Sequence, residues 1–370
     1  MYSSLYWMRI TLQNMFDPKV PYNSLPILPG DFEYDQKVFL KLAIKASEEI
    51  SRLNGLVHLI PNHEILISPL LIKESVESSA IENINTTTLK VLQSHALPTS
   101  SVKWPEKEVL HYHRAILAGY ERLKREWGIG YNAILEIQSL IEPEKPWVRK
   151  LPGTVIANNY REVLYTPPVW EDVIVGLLSN LERWMHATED DIDPLIKMPV
   201  IHYQFESIHP FYDGNGRTGR ILNVLYLVMT GKLDFPILFL SEYINKTRSE
   251  YYRLFNKTRN EGNYNEFIIY LLEGIIIQSQ ATANKIMKMH TLIREVEEQI
   301  SLLNMDYHKI TTILFSKPFL TVSDFTEMMG VTRQSASKYI KILEESHILS
   351  SLKVGKNKLL YVQSFIDILA

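Results

Sequence analysis

The sequence predicts a mostly α-helical protein with one small β-hairpin and a C-terminal winged helix-turn-helix. Three observations carry this prediction. Apolar residues recur at three- and four-residue steps over most of the first 300 positions, which is the period of amphipathic helices. One β-rich stretch, 151–168, has two turn-forming residues at its centre and ends on two prolines. After residue 301, a short helix, a glycine turn, a polar-fronted second helix and two strands follow in order.

The first elements are an extended arm and a series of helices. Four prolines and Gly30 fall within 17–30, which favours extended chain there. The first helical pattern begins near Tyr34, and Asn54–Gly55 is expected to end it. The hairpin at 151–168 has Asn158–Asn159 at its centre. Helical patterns occupy residues 34–54, 66–95 (divided near Asn83), 106–127, 170–186, 196–208, 217–229, 250–260 and 264–303.

Length and composition narrow the class of protein. A chain of 370 residues exceeds one typical domain, and we predict units at 1–100, 101–300 and 301–370. The net charge of -3 gives no global attraction to nucleic acid, and the lack of cysteine excludes disulfides and thiolate chemistry. The chain start lacks the pattern of a signal peptide, and the most apolar window, 267–277, is too short for a bilayer. We therefore expect a cytoplasmic protein without a membrane partner.

The C-terminal unit has several basic residues that suit phosphate contacts. They lie on the expected second helix and at the wing: Arg333, Lys338, Lys341, Lys353, Lys356 and Lys358. From residue 305 onward, however, eight Lys or Arg oppose six Asp or Glu, which is a small excess. The unit is therefore expected to bind DNA or protein, or to form a homodimer interface.

The segment with the densest chemistry runs from His209 to Arg220. It follows one helical pattern and leads into another, so it is a loop that ends at a helix N-terminus. Glycines there let backbone N–H groups approach an anion, and the helix dipole favours negative charge. Arg217 and Arg220 are spaced to hold phosphate oxygens. Its three glycines match the dinucleotide fingerprint by letter, but a helix and Pro210 precede them where that fingerprint needs a strand, which argues against a Rossmann fold.

The run HPFYDGNGRTGR resembles the signature of the Fic family, HPFx(D/E)GNGRxxR, at every fixed position. The hairpin upstream and Ser249–Tyr252 downstream are also similar to their family counterparts. The resemblance implies a helical Fic core with the hairpin as a flap. It also implies a protein adenylyltransferase, which transfers AMP from ATP to a Ser, Thr or Tyr hydroxyl of a target protein or of itself.

The resemblance implies a role for each residue of the signature. His209 is the general base that takes the proton of the attacking hydroxyl, and Asp213 holds Mg²⁺. Tyr252 lines the adenine pocket, and the flap at 151–168 docks the target protein by strand addition. The remaining residues of the signature bind the phosphates of ATP: Gly214, Asn215, Gly216, Arg217, Thr218, Gly219 and Arg220.

A second motif upstream suggests self-inhibition. Ser78–Asn83, read SSAIEN, resembles the family's inhibitory motif (S/T)xxxE(G/N). Ser78 and Glu82 are four residues apart and share one face of a helix. The resemblance implies that Glu82 pairs with Arg220 and displaces the γ-phosphate. Because short Ser-x-x-x-Glu strings are common, the other interpretation is an ordinary solvated helix face.

Two alternative functions stay open at this point. The chain is either an enzyme or a DNA-binding regulator whose Fic core only senses nucleotide. Within the enzyme class, the same core would also suit transfer of another phosphate-containing group, or removal of AMP. The intact signature favours AMP transfer.

Overall fold

Helices make up most of the chain, as the sequence predicts. The computed structural model describes residues 16–60, 64–98, 102–157 and 160–369. The start of the chain, where we expect no signal peptide, and Asn158–Asn159 at the hairpin tip lie outside these residues. After the irregular arm come five helices: α1 (Lys37–Val57), α2 (Glu64–Ile81), α3 (Thr88–His95), α4 (Glu106–Glu126) and α5 (Tyr131–Ile141).

The hairpin and the two central helices follow. Strands β1 (Ile156–Ala157) and β2 (Val163–Tyr165) pair antiparallel. Next come α6 (Glu171–His186), α7 (Pro194–Ile208) and α8 (Asn215–Met229). Nearly every residue of α7 is buried, and most of α8 is buried as well. Helices that are apolar on all sides lie in the interior, so the loop between α7 and α8 is held by the two most buried helices of the fold.

The second half is organised around one long helix. Helices α9 (Ser241–Lys246) and α10 (Arg248–Glu261) lead into α11 (Asn265–Ser301), which packs along α1. The far end of α11 contacts the C-terminal elements. These are α12 (Tyr307–Ser316), β3 (Leu320–Thr321), α13 (Val322–Met329), α14 (Arg333–Glu345), β4 (Ser350–Val354), β5 (Asn357–Tyr361) and α15 (Gln363–Leu369).

The C-terminal strands form an antiparallel sheet in the order β3–β5–β4. Helix α13 begins with a capping box between Thr321 and Asp324 and ends at Gly330, whose φ of 66° is in the left-handed region. Thr332 caps α14, so the two helices are joined by a short turn. The element order agrees with the sequence, but the winged-helix assignment and the boundaries near residues 100 and 300 stay predictions.

Two details of the fold differ from the expectation or extend it. Helix α1 continues two residues beyond Asn54–Gly55, because Leu53 and Val57 are buried in the core and Asn54 Nδ2 donates to the carbonyl of Lys232 at 3.0 Å. These tertiary contacts outweigh the local breaker signal. Within the described ranges, no helix has both the length and the apolarity that a membrane crossing requires.

Candidate active site

The loop between α7 and α8 is bounded by two residues in left-handed conformation. His209 ends α7 with φ 48°, and Gly214 begins α8 with φ 76°. A Cβ on Gly214 would lie 3.2 Å from Glu142 Cγ, so glycine is needed there both for φ and for space. The first N–H groups of α8 have no acceptor within the helix and point toward the loop. The arrangement is a compact anion site at a helix N-terminus.

Asn215 braces this loop from within. Its Oδ1 accepts from the Phe211 amide at 2.8 Å, and its Nδ2 donates to the Phe211 carbonyl at 2.9 Å. Phe211 is fully buried, so the amide side chain anchors the loop to the core. The sequence assigned Asn215 to a phosphate, and that contact stays a prediction; the structure shows a loop-bracing role for its side chain.

His209 is neutral in its surroundings. Burial and the nearby Arg149 guanidinium lower the pKa of His209 to about 4, although Glu82 and Asp213 oppose the shift. A group whose pKa falls that far is uncharged at neutral pH. The imidazole therefore has a free lone pair for a proton, which is what a general base needs.

Arg149 is a site residue that the sequence analysis missed. It is 1% exposed, and its Nε donates to the carbonyl of His209 at 2.7 Å. Its Nη2 donates to the carbonyls of Ile208, at 3.1 Å, and Pro168. The guanidinium thus ties the end of α7 to the base of the hairpin. Burial lowers the pKa of Arg149 to about 10, so it still carries its charge at neutral pH.

Arg220 is held by the helix that carries the second motif. Its Nε donates to Ser78 Oγ at 2.7 Å, and its Nη2 donates to the Ser78 carbonyl at 3.0 Å and to Glu82 Oε1 at 2.9 Å. Burial raises the pKa of Glu82, but the attraction of Arg220 and Arg217 outweighs that effect, and the pKa ends below its ordinary value. The structure therefore brings Ser78, Glu82 and Arg220 together. Glu82 also lies so close to Gly216 that a side chain at that position would collide with it.

Arg217 has a different set of partners. Its side chain is 3% exposed, and its Nη2 donates to Glu142 Oε1. Asp213 and Glu108 are farther away, at 3.6 and 3.9 Å. Its Nε and Nη1 atoms have no hydrogen-bond partner among the described residues. Glu142 is a second residue that the sequence analysis did not identify.

The remaining predicted residues lie around the same centre. Thr218 is buried, and its hydroxyl has no partner within the described part of the chain. Gly219 faces Glu206, whose carboxylate would meet any side chain placed there. Tyr252 is 46% exposed and packs against Tyr251 at a centroid distance of 5.3 Å. Both Glu82 and Arg220 act electrostatically on the Tyr252 hydroxyl, so Tyr252 is close to the site.

Asp213 is the single carboxylate that the loop itself offers to a cation. Its side chain is 57% exposed, and its Oδ1 accepts from the Gly214 amide at 2.7 Å. In the described ranges no group of three or more His, Asp or Glu residues is placed to hold a metal. Mg²⁺ is often held by one or two carboxylates together with substrate phosphates. The donor set therefore fits a cation that is bound jointly with a nucleotide.

Three family models match this chain. The Fic/DOC family N-terminal model matches residues 40–121, and the Fic/DOC family model matches residues 103–227. Together they span about half of the chain. This chain belongs to the Fic/DOC family. A third model, the C-terminal domain of SoFic-like protein adenylyltransferases, matches residues 286–365.

Curated relatives of this Fic protein carry the name protein adenylyltransferase. The Drosophila mojavensis protein Fic is 31% identical over 110 residues, which is 30% of this chain and 20% of that protein. Caenorhabditis elegans fic-1 is 32% identical over 105 residues, or 28% of this chain and 19% of that protein. The matched segment thus spans about a fifth of the length of these relatives.

Solved structures share the fold. A Fic family protein from Desulfovibrio desulfuricans G20 superposes with a TM-score of 0.56 at 19% identity, covering 89% of this chain and 97% of that one. Fic-1 from Caenorhabditis elegans gives a TM-score of 0.50 at 18% identity, covering 69% and 73%. At these identities the likeness concerns the fold alone, and it confirms the expected mostly helical class.

Proposed function

We propose that this Fic protein transfers AMP from ATP to a Ser, Thr or Tyr hydroxyl of a target protein or of itself. The observation that carries the proposal is one short loop. It joins a neutral histidine, His209, to a helix N-terminus that is flanked by two buried arginines, Arg217 and Arg220. A base beside a phosphate-binding site is the combination that nucleotidyl transfer requires.

The chemistry follows from this placement. The hydroxyl oxygen attacks the α-phosphorus, the bond to the β-phosphate oxygen breaks, and pyrophosphate leaves. The proton of the hydroxyl passes to His209, which is uncharged at neutral pH because of its lowered pKa. The backbone N–H of Gly216 holds the α-phosphate, joined by that of Gly214 when its hydrogen bond to Asp213 opens, while the two arginines hold the β- and γ-phosphates. Mg²⁺ held by Asp213 and the nucleotide would neutralise part of the charge on the leaving group.

Glu82 acts as a built-in brake on this reaction. Its carboxylate takes the place beside Arg220 that a γ-phosphate would need. Ser78 holds the same guanidinium by two further hydrogen bonds, so Ser78 and Glu82 together occupy three of its donor positions. ATP must compete with a charge-assisted pair to bind productively. Release of Glu82 is therefore the regulated step.

The hairpin is the docking site of the target. Its two strands pair with each other, and Arg149 links the base of the hairpin, at the Pro168 carbonyl, to the carbonyl of His209. An extended target segment would add to the hairpin as a further strand and present its hydroxyl to the loop.

The C-terminal unit supplies a second partner surface, for which we propose protein over DNA. Among its basic residues, Lys358 pairs with Glu344 at 2.8 Å and Lys341 with Glu345 at 3.6 Å. These pairs reduce the charge available to phosphates. A DNA duplex bound with a steep salt dependence would contradict this choice.

A labelling experiment tests the function. Wild type, Glu82→Gly, and Glu82→Gly combined with His209→Ala are incubated with α-³²P-ATP and Mg²⁺. Strong label on Glu82→Gly alone, absent with γ-³²P-ATP, is the expected result and establishes AMP transfer, the brake and the base together. Absence of label on all three proteins would contradict the proposal and would indicate another nucleotide or a sensor role.

A further inference from the structure

A second cavity lies beneath the N-terminal arm, apart from the loop at 209–220. Its volume is about 140 Å³, and a single water needs only about 10–15 Å³ on this scale. The arm forms one wall, from Tyr22 to Phe32. Tyr203 of α7 and the end of α10 form the other, together with Tyr264. The space is large enough for a small ligand.

A buried cation, Arg259, forms part of this wall. It is 8% exposed, and its Nη1 donates to Asn256 Oδ1 at 3.0 Å. Its Cζ lies 3.8 Å from the centroid of the Tyr165 ring. Its Nε has no hydrogen-bond partner, and in the described part of the chain no carboxylate lies within 4.0 Å of the guanidinium. Another of its N–H groups donates to the Tyr203 hydroxyl, so Nε is the part of the guanidinium that lacks an acceptor among the described residues.

The chain offers little to balance this charge. Asp31, which is exposed, is the one acidic residue in the described wall of the cavity. Residues 1–15, which precede the arm, contain Arg9 and neither Asp nor Glu. Burying a charge without a counter-charge is unfavourable, and stacking on an aromatic ring offsets only part of that. An external anion would supply the missing partner.

Phenol hydroxyls add donors beside the guanidinium. Burial raises the pKa of Tyr22 and Tyr264, and it raises the pKa of Tyr203 to about 12. All three hydroxyls therefore keep their protons and can donate hydrogen bonds. A guanidinium with neutral O–H donors is a favourable setting for an oxyanion and excludes cations.

We propose that this cavity binds a small oxyanion, a phosphate or a carboxylate, at Arg259. The site goes beyond AMP transfer and does not depend on it. Arg259 stacks on Tyr165 of β2, and the Tyr165 hydroxyl donates to the carbonyl of Ser207 at 2.7 Å, two residues before His209. An anion on Arg259 would thus tie the N-terminal arm to the hairpin that docks the target.

Isothermal titration of the full chain tests the site. Sodium phosphate and sodium acetate are titrated at constant ionic strength into Arg217→Gln, which weakens anion binding at the active-site loop. Saturable binding of either ion is expected, and the ion that binds identifies phosphate or carboxylate as the ligand. Adding Arg259→Gln should weaken it at least about tenfold, whereas Arg253→Gln, an exposed arginine on the same helix, should not. Binding of neither ion, or equal binding in both variants, would overturn the proposal.

A second variant keeps the proposal testable if Arg259→Gln fails to fold by circular dichroism. Asp31→Asn removes the one negative charge at the cavity wall and leaves Arg259 in place. Phosphate should then bind about threefold more tightly, because repulsion falls. Unchanged affinity in Asp31→Asn would count against an anion at this position.

Discussion

The two signature arginines are both buried beside the same loop, yet they are held in opposite ways. Arg220 makes three hydrogen bonds to the C-terminal end of α2 and the residue that follows it, two to Ser78 and one to Glu82. Arg217 makes one, to Glu142, and two of its nitrogens have no partner among the described residues. Arg220 therefore has more of its donors paired within the protein than Arg217 has.

The pKa values of Glu82 and Glu142, the carboxylate partners of Arg220 and Arg217, shift in opposite directions. The arginines hold the pKa of Glu82 below its ordinary value, despite burial. At Glu142, burial is the larger effect, and Arg217 only partly offsets it, so the pKa ends above its ordinary value. A lowered pKa means that the charged form is stabilised by its surroundings. The charged carboxylate is thus stabilised beside Arg220 but not beside Arg217, which is consistent with our proposal that control lies at Arg220 and phosphate binding at Arg217.

The largest effect should come from Glu82→Gly. Removing the competitor for the γ-phosphate position should raise the rate of AMP transfer by about 10- to 100-fold, which is the range of a charge-assisted hydrogen bond. Glu77→Gly is the matched control, because Glu77 lies on the same helix and bonds to Asn245 instead. Initial rates with α-³²P-ATP measure both variants. Equal rates for the two variants would contradict the proposal that Glu82 inhibits the reaction through Arg220.

Arg149→Met should shift the acid limb of the rate profile in the Glu82→Gly background. Burial and Arg149 lower the pKa of His209, so loss of Arg149 should raise that pKa toward its ordinary value. His209 is an active base only above its pKa, so the acid limb should move up by about one pH unit relative to Glu82→Gly alone. The measurement is kcat/KM from pH 4.5 to 8.

The conservative change separates charge from folding in that experiment. Arg149→Lys keeps the positive charge and loses the forked hydrogen bonds to the carbonyls of Ile208 and Pro168. For Arg149→Lys, the acid limb of the rate profile should stay at low pH even if the overall rate falls. If the two variants shift the limb equally, Arg149 acts by packing alone.

The helical fold was predictable because its signals are local. Periodic apolar residues identified α1 to α4, α6 to α8, α10 and α11 within a few residues of their ends. Helix α5 was not predicted, although its buried positions, Ala133, Ile134, Ile137, Gln138 and Ile141, recur at three- and four-residue steps. Short helices such as α9 and α15 have too few residues for a period to appear.

The site was predictable to the extent that it lies in one contiguous run. His209 to Arg220 carry their chemistry within twelve positions, and the resemblance supplied the distant Ser78 and Glu82. Arg149 and Glu142 lie 60 and 75 residues from their partners, with no local pattern to mark them. They reach the site only because α5 and the base of the hairpin pack against the loop at 209–214. The roles of all these residues stay predictions.

Glu142→Gln should have a smaller effect than Glu82→Gly. Arg217 already has open donors, so neutralising its partner frees little binding capacity. We expect the KM for ATP to change by less than about threefold, because a neutral amide can keep one hydrogen bond. Glu108→Gln is a control, because its carboxylate lies 3.9 Å from the same guanidinium without a hydrogen bond. A rise in rate as large as that of Glu82→Gly would mean that the protein has two brakes.

The smallest effect concerns Glu206, a second acid near Arg220 whose Oε1 accepts no hydrogen bond from the described residues. Burial raises the pKa of Glu206 to about 8, which Arg220 partly offsets. The folded state therefore holds a proton that the unfolded chain releases above its ordinary pKa. The contribution of Glu206 to the free energy of unfolding is therefore fully present at low pH and is lost as pH rises through about 8. Glu206→Gln should raise Tm by about 3 °C at pH 8 and hardly at all at pH 5.

The pH dependence of Tm also tests the surroundings of Arg220. Exposed Glu295→Gln on α11 should shift Tm equally at both pH values, which makes it the control. In the Glu82→Gly background, Arg220 keeps its two hydrogen bonds to Ser78. Glu206 loses the nearby negative charge of Glu82, which raises its pKa in the wild type, while Arg220 still attracts it, so the pKa of Glu206 should fall. The pH dependence of Tm should then shrink. If it persists unchanged, the charge of Glu82 does not reach Glu206, and the electrostatic link between the two acids around Arg220 is wrong.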